Sequence, residues 1–257
     1  RVDTPNYFYC YSFEPNHDWS QYYSGQPELQ AYLKRCCDEY KVSEQLRLNT
    51  AVTDIIFDES GQFWRVHVQR QDGSTDVITA KAVISAVGQL NRPRIPDFPG
   101  RGDFNGPQFH SAEYEHQHDL RGKRVAVIGT GASAFPLVPA IVGQVAELKV
   151  FQRSPVWMFP NPDYHAKVPE EVKWLLKHLP YYARWYRFLL FWPASDGLLP
   201  SLVTDPDWPH QERSVCAAND RAREHMTAWI DSQVANNPQL RDKVVPTYPP
   251  FVKRMLQ

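Results

Sequence analysis

The chain has 257 residues, 42% of them hydrophobic, and a formal net charge of -1 with a pI near 6.8. That length can bury the core of one large or two ordinary domains. The balanced charge argues against nucleic acid or an anionic membrane as partner. No apolar run approaches the roughly 18 residues a membrane span needs. The four cysteines, Cys10, Cys36, Cys37 and Cys216, form no C-x-x-C. With no signal-peptide pattern they read as reduced thiols of a cytoplasmic protein.

Residues 1–25 are aromatic and polar, with Tyr7, Phe8, Tyr9, Tyr11, Trp19, Tyr22 and Tyr23 close together. Gln26-Pro27-Glu28 opens a helix, with Pro in the first turn, Glu near the positive end of the dipole, and Leu29, Tyr32, Leu33 and Cys36 at helical spacing. From Leu46 the apolar period shifts to two, which predicts short strands over 46–49, 52–57, 63–69 and 77–80. Asp72-Gly73 marks a hairpin turn. The run 81–88 is almost wholly apolar after Lys81 and reads as a strand covered on both faces. Three prolines within 92–100 withdraw amide donors, so about 90–120 reads as a linker. Beyond 160, helices are expected over 168–178, 181–192 and 212–236, forming a helical insertion over about 160–245.

Between linker and insertion, a short apolar strand runs into Gly129-Thr130-Gly131-Ala132-Ser133-Ala134. In a dinucleotide-binding turn, Gly129 permits the bend, Gly131 lets backbone amides approach a pyrophosphate, and Ala134 allows close helix packing. The next strand, about 147–151, ends in Gln152-Arg153-Ser154. An acidic residue there would suit NAD, whereas Arg153 and Ser154 suit the extra 2′-phosphate of NADPH. His116-x-His118 has no third ligand at metal spacing, so no metal is expected. Ser133 follows the wrong glycines for a hydrolase elbow.

Phe104-x-Gly106-x-x-x-His110-x-x-x-Tyr114 stands just before this turn. The segment resembles the class I Baeyer-Villiger monooxygenases, whose fingerprint F-x-G-x-x-x-H-x-x-x-W precedes their NADPH-binding turn. Tyr114 in place of Trp is shared with the related flavin-containing, N- and S-oxygenating monooxygenases. Thr247-Tyr248-Pro249-Pro250-Phe251-Val252-Lys253-Arg254 is similar to the family's Y-P-x-x-G-K-R segment, above all that of the 4-hydroxyacetophenone monooxygenase type. Val252 stands where the family has Gly or another small residue.

The resemblance implies an α/β protein with two dinucleotide-binding, Rossmann-like, three-layer domains, the FAD domain incomplete and the NADPH domain carrying the helical insertion. Residues 1–90 would be the remainder of the FAD domain, 91–120 the linker and 121–257 the NADPH domain. Only one glycine-rich dinucleotide turn is present, so the chain is expected to be a fragment lacking the FAD-binding turn, inactive by itself. The implied reaction reduces FAD with NADPH, forms a C4a-peroxyflavin with O2, and converts a ketone to an ester or lactone. Lys253 would help hold the 2′-phosphate and Arg254 would reach the flavin. Asp3, in a segment similar to R-C-D, would pair with Arg254, and Gln89, in a segment similar to A-T/S-G-Q-L, would contact the cofactors. His110 would support coupling of the domains. Read from the residues alone, Asp3 is equally a surface residue, His110 a structural histidine, and Lys253-Arg254 a solvated basic pair.

The aromatic stretch 157–192 would suit an aryl ketone, although core packing explains it too. Two other functions stay open: N- or S-oxygenation, and a nicotinamide-binding module without turnover. The sequence leaves the oligomeric state open.

Overall fold

The structure, a computed structural model, describes every residue except Arg1, Gln89, Asn91, Asn236, Arg254, Leu256 and Gln257. It is a mixed α/β chain that separates into two compact units, one made of residues 1–32 and 115–257, the other of residues 33–114. The boundary falls inside a helix.

The first unit opens with the short helix α1, Asn6–Tyr9, and the first half of α2, Gln26–Glu39. Glu28 does more than favour the helix dipole. Its carboxylate accepts from the Ser20 amide and hydroxyl, each at 2.8 Å, and from the Ser24 hydroxyl. Buried Asn6 ties the same region together, receiving the Ser24 amide at 3.0 Å and donating to the Gln21 carbonyl at 2.8 Å. Residues 20–22 also bond across to 166–168.

The parallel pair β4, Arg124–Ile128, and β5, Glu147–Phe151, is connected through α3, Ala134–Ile141. This is the strand-turn-helix-strand unit that the glycine motif predicts. The helices α4, Glu170–His178, α5, Tyr182–Ala194, α6, Ala217–Val234, and α7, Pro238–Val244, follow. One apolar core here is Trp157, Met226 and Ile230, each 1% exposed, with Val244, Val245, Tyr248 and Met255 packed against it. Apolar burial thus pins the exit of β5 against α6 and against the segment after α7.

The second unit is built on an antiparallel meander of β1, Thr50–Asp58, β2, Phe63–Arg70, and β3, Thr75–Ala80. Phe57 and Trp64 face each other across the first pair, ring centroids 5.0 Å apart. Gly73, at φ 84°, takes the left-handed turn position that a β-carbon disfavours.

Several sequence expectations are corrected. No strand forms over 46–49: a 3-10 turn occupies Ser43–Gln45, and Asn49 adopts a left-handed φ of 53°, which interrupts extension until Thr50. The apolar run 81–88 is not a covered strand; no described strand pairs with it, and Ile84 and Val87 are 90% and 70% exposed. A buried strand needs hydrogen-bonded neighbours and a layer on each face, and the described residues supply neither. The helix expected over 212–236 begins later, at Ala217, and Pro238, just beyond its expected end, starts a new helix. Proline is well suited to that first-turn position, where no amide is required.

Candidate functional site

The fingerprint lies within the second unit, and its residues have local partners. A β-carbon built on Gly106 would sit 2.6 Å from the Phe104 ring, so the glycine makes room for that ring to fold back. His110 precedes a 3-10 turn, Ser111–Glu113, and its Nδ1 accepts the Ala112 amide at 3.1 Å. Tyr114 closes that turn and packs edge-on against Phe109 at 5.1 Å. The half-buried His110 therefore acts here as a cap that fixes its own loop. His118 Nε2 lies 2.9 Å from the Glu115 carboxylate.

The dinucleotide turn lies in the first unit. Gly129 leaves β4 at φ 103°, a conformation that excludes most side chains, while its amide donates to the Phe151 carbonyl at 2.8 Å. A β-carbon on Gly131 would meet nothing within 4 Å, so the turn has an open approach. Thr130 and Ala132 are half-buried and Ser133 is exposed. Ser133 is the residue before α3, and it makes no side-chain cap to the helix. Ser133 thus leaves the start of α3 uncapped by a side chain, while the Phe135 amide donates to the Gly131 carbonyl at 3.1 Å and Pro136 carries no amide.

At the far end of β5 the structure brings together residues 91 to 93 positions apart. Gln152 donates to the Lys243 carbonyl at 2.6 Å. Tyr248 donates through its hydroxyl to the Pro155 carbonyl at 2.9 Å, and the Trp157 indole donates to the Tyr248 carbonyl at 3.0 Å. The Lys253 ammonium sits 4.2 Å from the centre of the Tyr248 ring. Arg153 and Lys253, both exposed, therefore project from segments that share hydrogen bonds, with half-buried Ser154 between Arg153 and the Pro155 carbonyl.

Asp3 is exposed. Arg254 and Gln89 lie outside the described residues. Sequence reasoning missed Tyr248 as a link, although an aromatic residue five positions before Lys253 was a signal for it.

A cavity of about 520 Å³ also opens on α6 and α7, lined by Arg213, Arg223, Asp231, Arg241 and Thr247 among others. Most of its charge is internally paired: Arg213 bonds Asp220 at 2.8 Å, and Arg241 bonds Asp231 at 2.7 Å. Arg223 lies against the Trp157 ring at 5.2 Å and donates weakly to the Tyr248 carbonyl.

Comparison with known proteins identifies a family. The flavin-binding monooxygenase-like family model matches residues 2–165. A monooxygenase of uncharacterized activity from Sinorhizobium fredii is 39% identical over 255 residues, covering 99% of this chain and 38% of that protein. A Baeyer-Villiger monooxygenase of Pseudomonas aeruginosa is 35% identical over 254 residues, covering 99% of this chain and 45% of its own length. Among solved structures, a complex of OTEMO with FAD and NADP superposes with a TM-score of 0.77 at 26% identity, covering all of this chain and 53% of that one. The chain thus spans about half the length of the proteins it matches, or less. On these residues and this arrangement, the chain belongs to the flavin-binding monooxygenase-like family.

Proposed function

We propose that the chain is the nicotinamide-binding part, with adjoining segments, of an NADPH- and FAD-dependent monooxygenase that converts a ketone to an ester or lactone. The observation that carries this reading is the meeting of the β5 exit, with Arg153 and Ser154, and the Lys253 segment through Tyr248. An arginine and a serine at the end of this strand, in place of an acidic residue, suit the extra 2′-phosphate of NADPH. The Pseudomonas relative bears the Baeyer-Villiger name, and OTEMO binds both cofactors.

In this reading Gly129 permits the turn and the amides of 130–133 receive the pyrophosphate, while Arg153, Ser154 and Lys253 hold the 2′-phosphate. Bound FAD supplies the oxygen chemistry and NADPH the reducing equivalents. One atom of O2 enters beside the carbonyl and the other leaves as water. Arg254 is assigned to an oxyanion, since a guanidinium holds negative charge without giving up a proton. Asp3 orients Arg254, Gln89 contacts the cofactors, and His110 fixes the linker loop. We assign residues 1–90 to the flavin domain, 91–120 to the linker and 121–257 to the NADPH domain, both domains Rossmann-like. The glycine-rich flavin turn lies elsewhere in the whole protein, so the 257 residues alone are assigned nicotinamide binding without turnover. The aromatic residues of 157–192 favour an aryl ketone.

Tyr114 favours one rival, oxygenation of nitrogen or sulfur. Product analysis with the whole protein separates the two. An ester from an aryl or cyclic ketone, formed in step with NADPH consumption, supports the proposal. N- or S-oxide from an amine or thioether, with ketones untouched, supports the rival.

A further inference from the structure

Three independent contacts converge on Tyr248. Its hydroxyl holds the Pro155 carbonyl, its carbonyl accepts the Trp157 indole, and its ring lies under the Lys253 ammonium. A cation over a tyrosine face is attracted by the ring quadrupole. A free lysine loses much rotamer entropy when it is ordered. Seating Lys253 before a ligand arrives removes that cost from binding. On the other side, the hydroxyl fixes the backbone from which Arg153 and Ser154 project. The loop that carries Tyr248 is itself anchored: Pro246 and Pro250 are fully buried, and Asn219 donates to the Pro250 carbonyl at 3.1 Å. Burial raises the phenol's pKa above its ordinary value, so it remains a neutral donor across the physiological range.

We propose that Tyr248 is a positioning residue for recognition of the 2′-phosphate of NADPH: its ring seats Lys253, and its hydroxyl keeps Arg153 and Ser154 in place beside it. This inference rests on reading Arg153 and Lys253 as phosphate-binding residues, and the test separates the two claims. In the whole FAD-loaded protein, calorimetry gives Kd for 2′,5′-ADP and 5′-AMP, and steady-state kinetics give KM for NADPH and NADH. The variants are Arg153→Ala, Lys253→Ala, Tyr248→Phe and Tyr248→Leu.

Tyr248→Leu, which removes ring and hydroxyl, is expected to weaken 2′,5′-ADP about five- to tenfold. Tyr248→Phe, which keeps the ring, weakens it about two- to threefold. Neither variant moves 5′-AMP or the KM for NADH more than about twofold. Equal loss for both nucleotides makes the tyrosine merely structural and overturns the inference, as does no change for either. If Arg153→Ala and Lys253→Ala lose the preference while both Tyr248 variants keep it, Tyr248 is not the positioning group. If all four variants keep it, the phosphate reading itself fails. Should Tyr248→Leu not fold, Tyr248→Phe decides on the same two nucleotides.

Discussion

Single residues set the character of the candidate site. Arg153→Ala in the whole protein is expected to lower the preference for NADPH over NADH about tenfold or more, since a charge-assisted hydrogen bond contributes about 1.5–3 kcal/mol; an unchanged KM ratio contradicts that role. The proposal for Arg153 could be read from the sequence, because the end of a second Rossmann strand is where cofactor choice is made. That for Tyr248 could not, because it depends on a contact with Pro155 that no local pattern encodes. The segment also carries a cost: Phe251 holds a left-handed φ of 66°, which disfavours a residue with a β-carbon by about 1–2 kcal/mol. The family comparison drew attention to Val252, yet the left-handed residue is the one before it.

Two residues away from the site test the packing of the first unit. Burial works to raise the Glu28 pKa, but hydrogen bonds from Ser24 and Ser20 outweigh it and lower the value. A depressed carboxylate stabilises above its unfolded pKa of about 4.5 and loses that contribution as pH falls below it. Glu28→Gln is therefore expected to cost about 1–2 kcal/mol at pH 7, and the gap from wild type should narrow toward pH 3 in urea titrations; a gap independent of pH contradicts the assignment. Tyr7 is 5% exposed, and its buried hydroxyl has no hydrogen-bond partner among the described residues. Tyr7→Phe keeps the edge-on contact with Tyr186 and should leave stability unchanged or raise it by about 1 kcal/mol. A clear loss in the same titration would show that the hydroxyl is satisfied in solution.

At the scale of elements, periodicity with turn chemistry was informative and periodicity alone was not. Asp72-Gly73 and the alternation around Val68 located the β2–β3 hairpin, whereas Pro238, just beyond the helix expected over 212–236, starts α7. The run 81–88 failed because hydrophobicity records a demand for burial and not its fulfilment. The α6 start turns on a detail that composition hides: Asn219 is fully buried and donates to the Ser201 and Pro250 carbonyls at 3.0 and 3.1 Å. Asn219→Ala leaves both carbonyls without that donor and is expected to cost about 2–3 kcal/mol. Denaturation midpoints matching wild type would show that water or a neighbour replaces the amide.

On the scale of the whole molecule, α5 is apolar on two faces. Tyr186 and Arg187 face α1, whereas Trp185, Phe188, Leu189 and Trp192 are 42–57% exposed on the opposite side. A helix apolar all round is normally covered, and large exposed apolar patches bind hydrophobic dyes and promote association. The 257-residue chain alone is expected to enhance anilinonaphthalene sulfonate fluorescence strongly, and Trp185→Ser/Trp192→Ser should reduce that signal; dye binding indifferent to both changes would place the exposed surface elsewhere. Family membership was legible from the two motifs and their order, while the substrate was not, because in the sequence the aromatic residues of 157–192 read as core packing as readily as a substrate enclosure.

The most direct test of the account is isotopic. The whole protein, supplied with FAD, NADPH, a ketone and 18O2, should give an ester or lactone carrying one labelled oxygen per molecule, with one NADPH consumed for each product formed. An unlabelled product, or NADPH oxidation that yields only peroxide whatever ketone is offered, would contradict it.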